Sequence, residues 1–128
     1  MNPSFLIPVP ILATLWFGAR HYLNLKLQDG ILKSLYTDHH EIWKQLGEPS
    51  GWQWSPPGKF FPSGSHFHCF DMEDPEWLVQ APELKESFYR LRKGIREFSF
   101  IGMPIIVATW ILFFVIVGML QKSAVQNV

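Results

Sequence analysis

His66-Phe67-His68-Cys69, with Asp71 two residues on, and His39-His40-Glu41 are the two runs in this sequence with metal-ligand side chains. In an extended strand His66 and His68 share a face and can chelate Zn²⁺, while Cys69 points away. A structural zinc site takes four ligands in recognisable pairs, and no second pair follows. The candidate metal set is therefore His66, His68 and Cys69. The plainer alternative is polar loop residues among aromatics, with Cys69 a small buried hydrophobe. Haem ligation is the related chemistry, since His21 stands at the end of the first apolar stretch, but no histidine in the second stretch faces it. His39 interrupts an apolar stripe and reads as a satisfied packing histidine rather than a ligand. No Ser/His/Asp order, phosphate-cradling glycine motif or intramembrane acid is present, so catalysis, nucleotide binding and proton-coupled transport are not expected. The reading is a non-enzyme with no catalytic and no cofactor-binding residues.

The elements that must position these residues start from residues 98–120, FSFIGMPIIVATWILFFVIVGML, which contain no Asp, Glu, Lys, Arg or His. As a helix they cover about 34 Å, enough to cross a hydrocarbon core about 30 Å thick. Residues 3–19 are also uncharged but carry Pro3, Pro8 and Pro10. Proline is best tolerated in the first turn, so this helix is expected to start near Pro8 or Pro10 and to need Tyr22, Leu23 and Leu25 to complete a crossing. A cleaved signal peptide would need its positive charge before the apolar run, whereas Arg20 follows it. Residues 1–25 are thus read as a first transmembrane helix, 26–97 as a loop domain, 98–120 as a second transmembrane helix and 121–128 as a tail. Ten of the eleven Lys and Arg lie from Arg20 to Arg96, which places the loop in the cytoplasm and both termini across the membrane.

Within the loop, Leu25, Leu32, Leu35, His39, Ile42 and Leu46 fall at helical spacing, so the first helix is expected to run on as an amphipathic stalk to Gly47. Asp29-Gly30 could break it early, or Asp38 with Glu41 could cap a separate short helix. Residues 47–82 hold six prolines, counting Pro82 at the end, three glycines beyond Gly47 and many aromatics, which predicts an irregular but ordered segment. Phe60-Phe61 and residues 66–70 could form a small hairpin, and Asp74-Pro75-Glu76 reads as an N-cap followed by proline at N1. Leu84, Phe88, Leu91, Ile95 and Phe98 then recur at spacings of four and three. Leu32, Leu35, Ile42 and Leu46 are expected to pack on Leu84, Phe88, Leu91 and Ile95. The predicted fold is an all-α membrane protein, with two transmembrane helices extended into a cytoplasmic antiparallel hairpin capped by the irregular segment. Pro104 should bend the second long helix.

The composition agrees with this placement. The 128 residues carry zero formal net charge and only 17% charged side chains, which suits a small membrane protein and leaves no overall nucleic-acid footprint. The single cysteine excludes an internal disulfide framework. Arg90, Arg92, Lys93 and Arg96 crowd the entry to the second span, where they fix topology or attract anionic lipid. In layout the chain resembles the universal stress protein B-like family of small bacterial inner-membrane proteins. The resemblance lies in an N-terminal span, a helical stretch from Leu32-Lys33-Ser34-Leu35 through His40-Glu41-Ile42-Trp43-Lys44-Gln45-Leu46-Gly47-Glu48-Pro49-Ser50, and the basic Phe88-Tyr89-Arg90-Leu91-Arg92-Lys93 leading into a C-terminal span. It implies a stress-associated membrane protein with no assigned enzyme activity and no catalytic residues to carry over. The expected function is contact with lipid, a membrane-protein partner or a second copy. The alternative is an accessory subunit of a larger membrane complex with a histidine-based metal or haem site.

Overall fold

The computed structural model describes residues 6–58 and 74–126. Helix accounts for 81% of them and no strand occurs among them, so the fold class is all-α. Helix α1, Pro8–Asp38, begins at a proline, whose missing amide hydrogen costs nothing in a first turn. Asp29-Gly30 does not interrupt it. Glycine at position 30 costs about 1 kcal/mol relative to alanine, and the burial of Ile31, Leu32 and Leu35 immediately after it more than offsets this. The helix stops at His39, whose φ of −134° and ψ of 53° are not helical. A second helix, α2 (His40–Gln45), follows. The stalk expected to run unbroken to Gly47 is therefore two helices. Asp38 does not cap α2, because His39 occupies the N-cap position without a side-chain cap bond. Gly47 ends this stretch in the left-handed region at φ 84°.

After the segment 59–73, two short 3₁₀ turns, Glu76–Val79 and Pro82–Leu84, lead into α3 (Lys85–Glu97). Pro75, not Asp74, holds the N-cap position of the first of these turns. A π-helical turn, Phe98–Gly102, joins α3 to α4 (Met103–Gln126). Pro104 follows this turn, and its ring crowds the carbonyl of Phe100 within it, a crowding that a wider turn relieves. From Pro82 to Gln126 the helix is continuous over 45 residues, and among the described residues it alone is long and apolar enough to cross a membrane.

The chain divides into two compact units, Met1–Arg20 with Glu97–Val128, and His21–Arg96. The second holds the core. Ile31, Leu35, Ile42, Trp43, Trp77, Leu78, Ala81, Leu84, Phe88 and Leu91 form one buried cluster, with Leu27, Tyr36, Leu46, Tyr89 and Ile95 packed against it. Each fully buried Leu, Ile or Phe contributes ~1.5–3 kcal/mol, whereas a surface ion pair contributes about 0–1 kcal/mol. Burial, not charge pairing, holds this unit together. In the first unit, no residue of α4 is buried among the described residues. Trp110 Nε1 donates to Thr14 Oγ1 at 3.0 Å, and Thr14 in turn donates to the Pro10 carbonyl at 2.7 Å. A Cβ built on Gly102 would lie 3.0 Å from the Phe17 ring. Arg20 Nη2 reaches Glu97 Oε2 at 3.3 Å. Rising numbers along α1 meet falling numbers on the later helix, so these segments run antiparallel.

Candidate functional site

His66, His68, Cys69 and Asp71 lie outside the described residues, as does the hairpin expected around residues 60–70. Among the described residues no group of three or more His, Cys, Asp or Glu is placed to hold a metal ion. The other histidine pair is committed elsewhere. His39 Nε2 bonds the Glu83 carboxylate, tying the break between α1 and α2 to the second 3₁₀ turn. This bond holds the Glu83 carboxyl below its ordinary range. His40 donates from Nδ1 to the Tyr36 carbonyl at 3.1 Å and stacks on Trp43 with centroids 5.2 Å apart. Tyr36 stands edge-on to Trp43 at 4.9 Å and tilted to Trp54 at 5.6 Å. Trp43 Nε1 donates to the Pro49 carbonyl at 2.9 Å, which fastens the start of the proline-rich stretch to α2.

Of the eight positions expected to pair the helices, Leu32, Leu35, Ile42, Leu84, Phe88 and Leu91 are buried. Leu46 and Ile95 are partly buried against the same cluster. Trp43, Trp77, Leu78 and Ala81 join them without having been singled out by periodicity. Trp77 meets Phe88 edge-to-face at 5.7 Å, so the first 3₁₀ turn is packed onto α3.

The four basic residues read as a lipid or topology cluster differ in their partners. Arg90 pairs with Glu86 one turn back at 2.9 Å, a solvated pair on the same helix. Arg92 is different: its side chain is only 16% exposed, and Nη2 donates to Asp74 Oδ1 at 2.7 Å. Its guanidinium lies 5.2 Å from the Phe88 ring centre and 5.0 Å from that of Tyr89. The Tyr89 hydroxyl donates to the other oxygen of Asp74. These bonds, Tyr89 first and Arg92 second, hold the Asp74 carboxyl below its ordinary range, and the same carboxylate pushes the Tyr89 hydroxyl up. Lys93 and Arg96 are exposed. Arg92 thus pins residue 74 to α3, whereas Arg90 is exposed, as Lys93 and Arg96 are.

A second carboxylate, Asp29, was not singled out by its residue type. It accepts the backbone N–H of Trp52 at 2.6 Å and of Gln53 at 2.9 Å. A Cβ on Gly51 would overlap this carboxylate, so only glycine lets the loop approach so closely. The Gly51 N–H donates to the Trp54 carbonyl at 2.8 Å and closes the turn. The Asp-Gly pair inside a helix and the Gly between Ser50 and Trp52 are the only hints in the sequence, and neither names its partner. No known protein family, curated protein or solved structure matches this chain.

Proposed function

We propose that the protein is a two-span membrane protein of the bacterial inner membrane that works without catalysis, through contacts with a membrane-protein partner, a second copy or lipid. Residues 1–25 and 98–120 are the spans, and residues 26–97 are a cytoplasmic antiparallel helical hairpin capped by the Pro- and aromatic-rich segment. Both termini lie across the membrane. The observation that supports this most is the segregation of burial. The apolar side chains of α4 are left uncovered by the protein, as lipid-facing side chains would be, while the core gathers between Ile31 and Leu91. A role in stress response rests on the resemblance to the universal stress protein B-like family alone.

A second reading, accessory subunit of a larger membrane complex, is supported by an apolar cleft of about 240 Å³ between the start of α1 and the last turns of α4. Leu6, Ile7, Phe113, Ile116 and Leu120 line it. In that reading a partner's side chains fill the cleft, and a metal or haem held by histidines of the chain belongs to the assembly. Two cysteine variants made in a Cys69→Ser background test the topology. Lys122→Cys should react with a membrane-impermeant maleimide in intact cells, and Glu41→Cys only after permeabilisation. The reverse pattern rejects the orientation, and labelling of both in intact cells rejects a cytoplasmic hairpin.

A further inference from the structure

Trp52 belongs to the proline-rich stretch, yet its ring meets Tyr22 of α1 edge-to-face with centroids 6.5 Å apart. Three observations fix that meeting. Helix α1 is unbroken from Pro8, so Tyr22 stands only about 3 Å of helix rise beyond Arg20. The Asp29 carboxylate holds the amides of Trp52 and Gln53. The Gly51 N–H to Trp54 carbonyl bond closes the backbone turn that carries Trp52. The result is an outward-facing patch: Trp52 is 47% exposed, Tyr22 40% and Leu23 63%. Lys26 Nζ lies 5.4 Å from the centre of the Tyr22 ring, one turn further on.

We propose that residues 50–54 are a membrane-anchoring loop: clamped by Asp29, they set Trp52 beside Tyr22, Leu23 and Lys26 as a patch that lies in the phospholipid headgroup layer where α1 leaves the bilayer. The proposal rests on the two-span reading above. Indole and phenol rings each pair an apolar body with a polar tip, which suits them to the interface rather than to hydrocarbon or water. A lysine whose stem lies along an aromatic ring can keep its ammonium at the depth of the phosphates. An aliphatic side chain beside them adds burial in the upper acyl region. That combination complements a phospholipid surface, and Asp29 is the positioning residue that brings the loop back to it.

The test is a depth measurement on the full chain, reconstituted in vesicles of mixed phosphatidylcholine and phosphatidylglycerol. A nitroxide is placed by Gln53→Cys, Glu41→Cys or Leu112→Cys, each in a Cys69→Ser background. Gln53 contributes only its backbone amide to the Asp29 clamp, so labelling it leaves Trp52 in place. The expected result is more oxygen collision and less nickel-chelate collision at position 53 than at position 41, and a return towards the position 41 values when Trp52→Ser is added. If position 53 matches position 41 while Leu112→Cys reports a hydrocarbon environment, the anchor is overturned and the second span stands. If Leu112→Cys itself reports an aqueous environment, the two-span reading fails and takes the anchor with it.

Discussion

Arg92 Nη2 donates to Asp74 Oδ1 at 2.7 Å across eighteen residues of sequence, while its guanidinium lies over the ring of Phe88, a fully buried core residue. A cation held between a carboxylate and an aromatic face stabilises by more than a solvated helix pair does. Arg92→Gln should therefore lower the stability of the His21–Arg96 unit by about 1–2 kcal/mol, whereas Arg90→Gln should change it by less than about 0.5 kcal/mol. Thermal unfolding of the two variants in the same detergent checks this. Equal effects would mean that the Asp74 contact contributes no more than the Glu86 pair. Anionic-lipid binding is then best examined in Lys93→Gln with Arg96→Gln, which keeps the Arg92 contact to Asp74 intact.

The Asp74–Tyr89–Arg92 group also sets a pH dependence with two limbs. Asp74 and Glu83 have their folded-state pKa values lowered, so their contribution is present above the ordinary carboxylate range and is lost as pH falls below it. Tyr89 has its folded-state value raised, so its contribution is present below about pH 10 and is lost as pH rises through the raised value. Unfolding temperature should therefore decline below about pH 4 and again above about pH 10. Asp74→Asn should flatten the acid limb, and Tyr89→Phe the alkaline one. Melts of the wild type and both variants across this range decide it, and an unchanged acid limb in Asp74→Asn would remove this carboxylate from the account.

Leu91 lies fully buried on α3 among the core residues. Leu91→Ala should cost about 2–5 kcal/mol through lost burial and the cavity left behind. Leu91→Asp should cost several kcal/mol more, because an unpaired charge enters an apolar site. On the two-span reading the spans insert through their own hydrophobicity, so the variant should still integrate into the membrane while its loop is cut faster by protease. Protease resistance equal to the wild type would show that the stripe is not a core.

Periodic features and the helix-boundary residues Pro8 and Gly47 carried to the structure, whereas long-range partners did not. Leu84, Phe88 and Leu91 are buried at the spacing that a helix face requires. Ile42 is buried too, although the helix breaks at His39 before reaching it, because α2 resumes with its own apolar side on the same cluster. Trp77, Leu78 and Ala81 sit in 3₁₀ turns and a short link, where no 3.6-residue period exists to mark an inward side. Charge told least. Arg90 and Arg92 read alike as members of a basic run, yet one pairs within its helix and the other reaches residue 74. Asp74 read as a helix cap by its place before Pro75, but its carboxylate is drawn to two donors on α3 instead. Such choices depend on partners distant in sequence, which local composition does not encode.

The pairing of Asp29 with Gly51 offers the most discriminating measurement. Asp29→Ala removes the charged acceptor of two backbone amides, and for a partly exposed site this should cost about 1–2 kcal/mol. Gly51→Ala should cost a similar amount by a different route, since its methyl group would occupy the space of the Asp29 carboxylate and push it off the same amides. The two changes therefore attack one interaction. If they do, the double variant should be far less destabilised than the sum of the singles, with a coupling of about 1 kcal/mol or more. Chemical denaturation of the four proteins in a common detergent gives the cycle. Additive costs would mean that Gly51 is required for its own backbone conformation and not for room beside Asp29. Coupled costs would identify the Asp29 carboxylate as the group for which Gly51 leaves room.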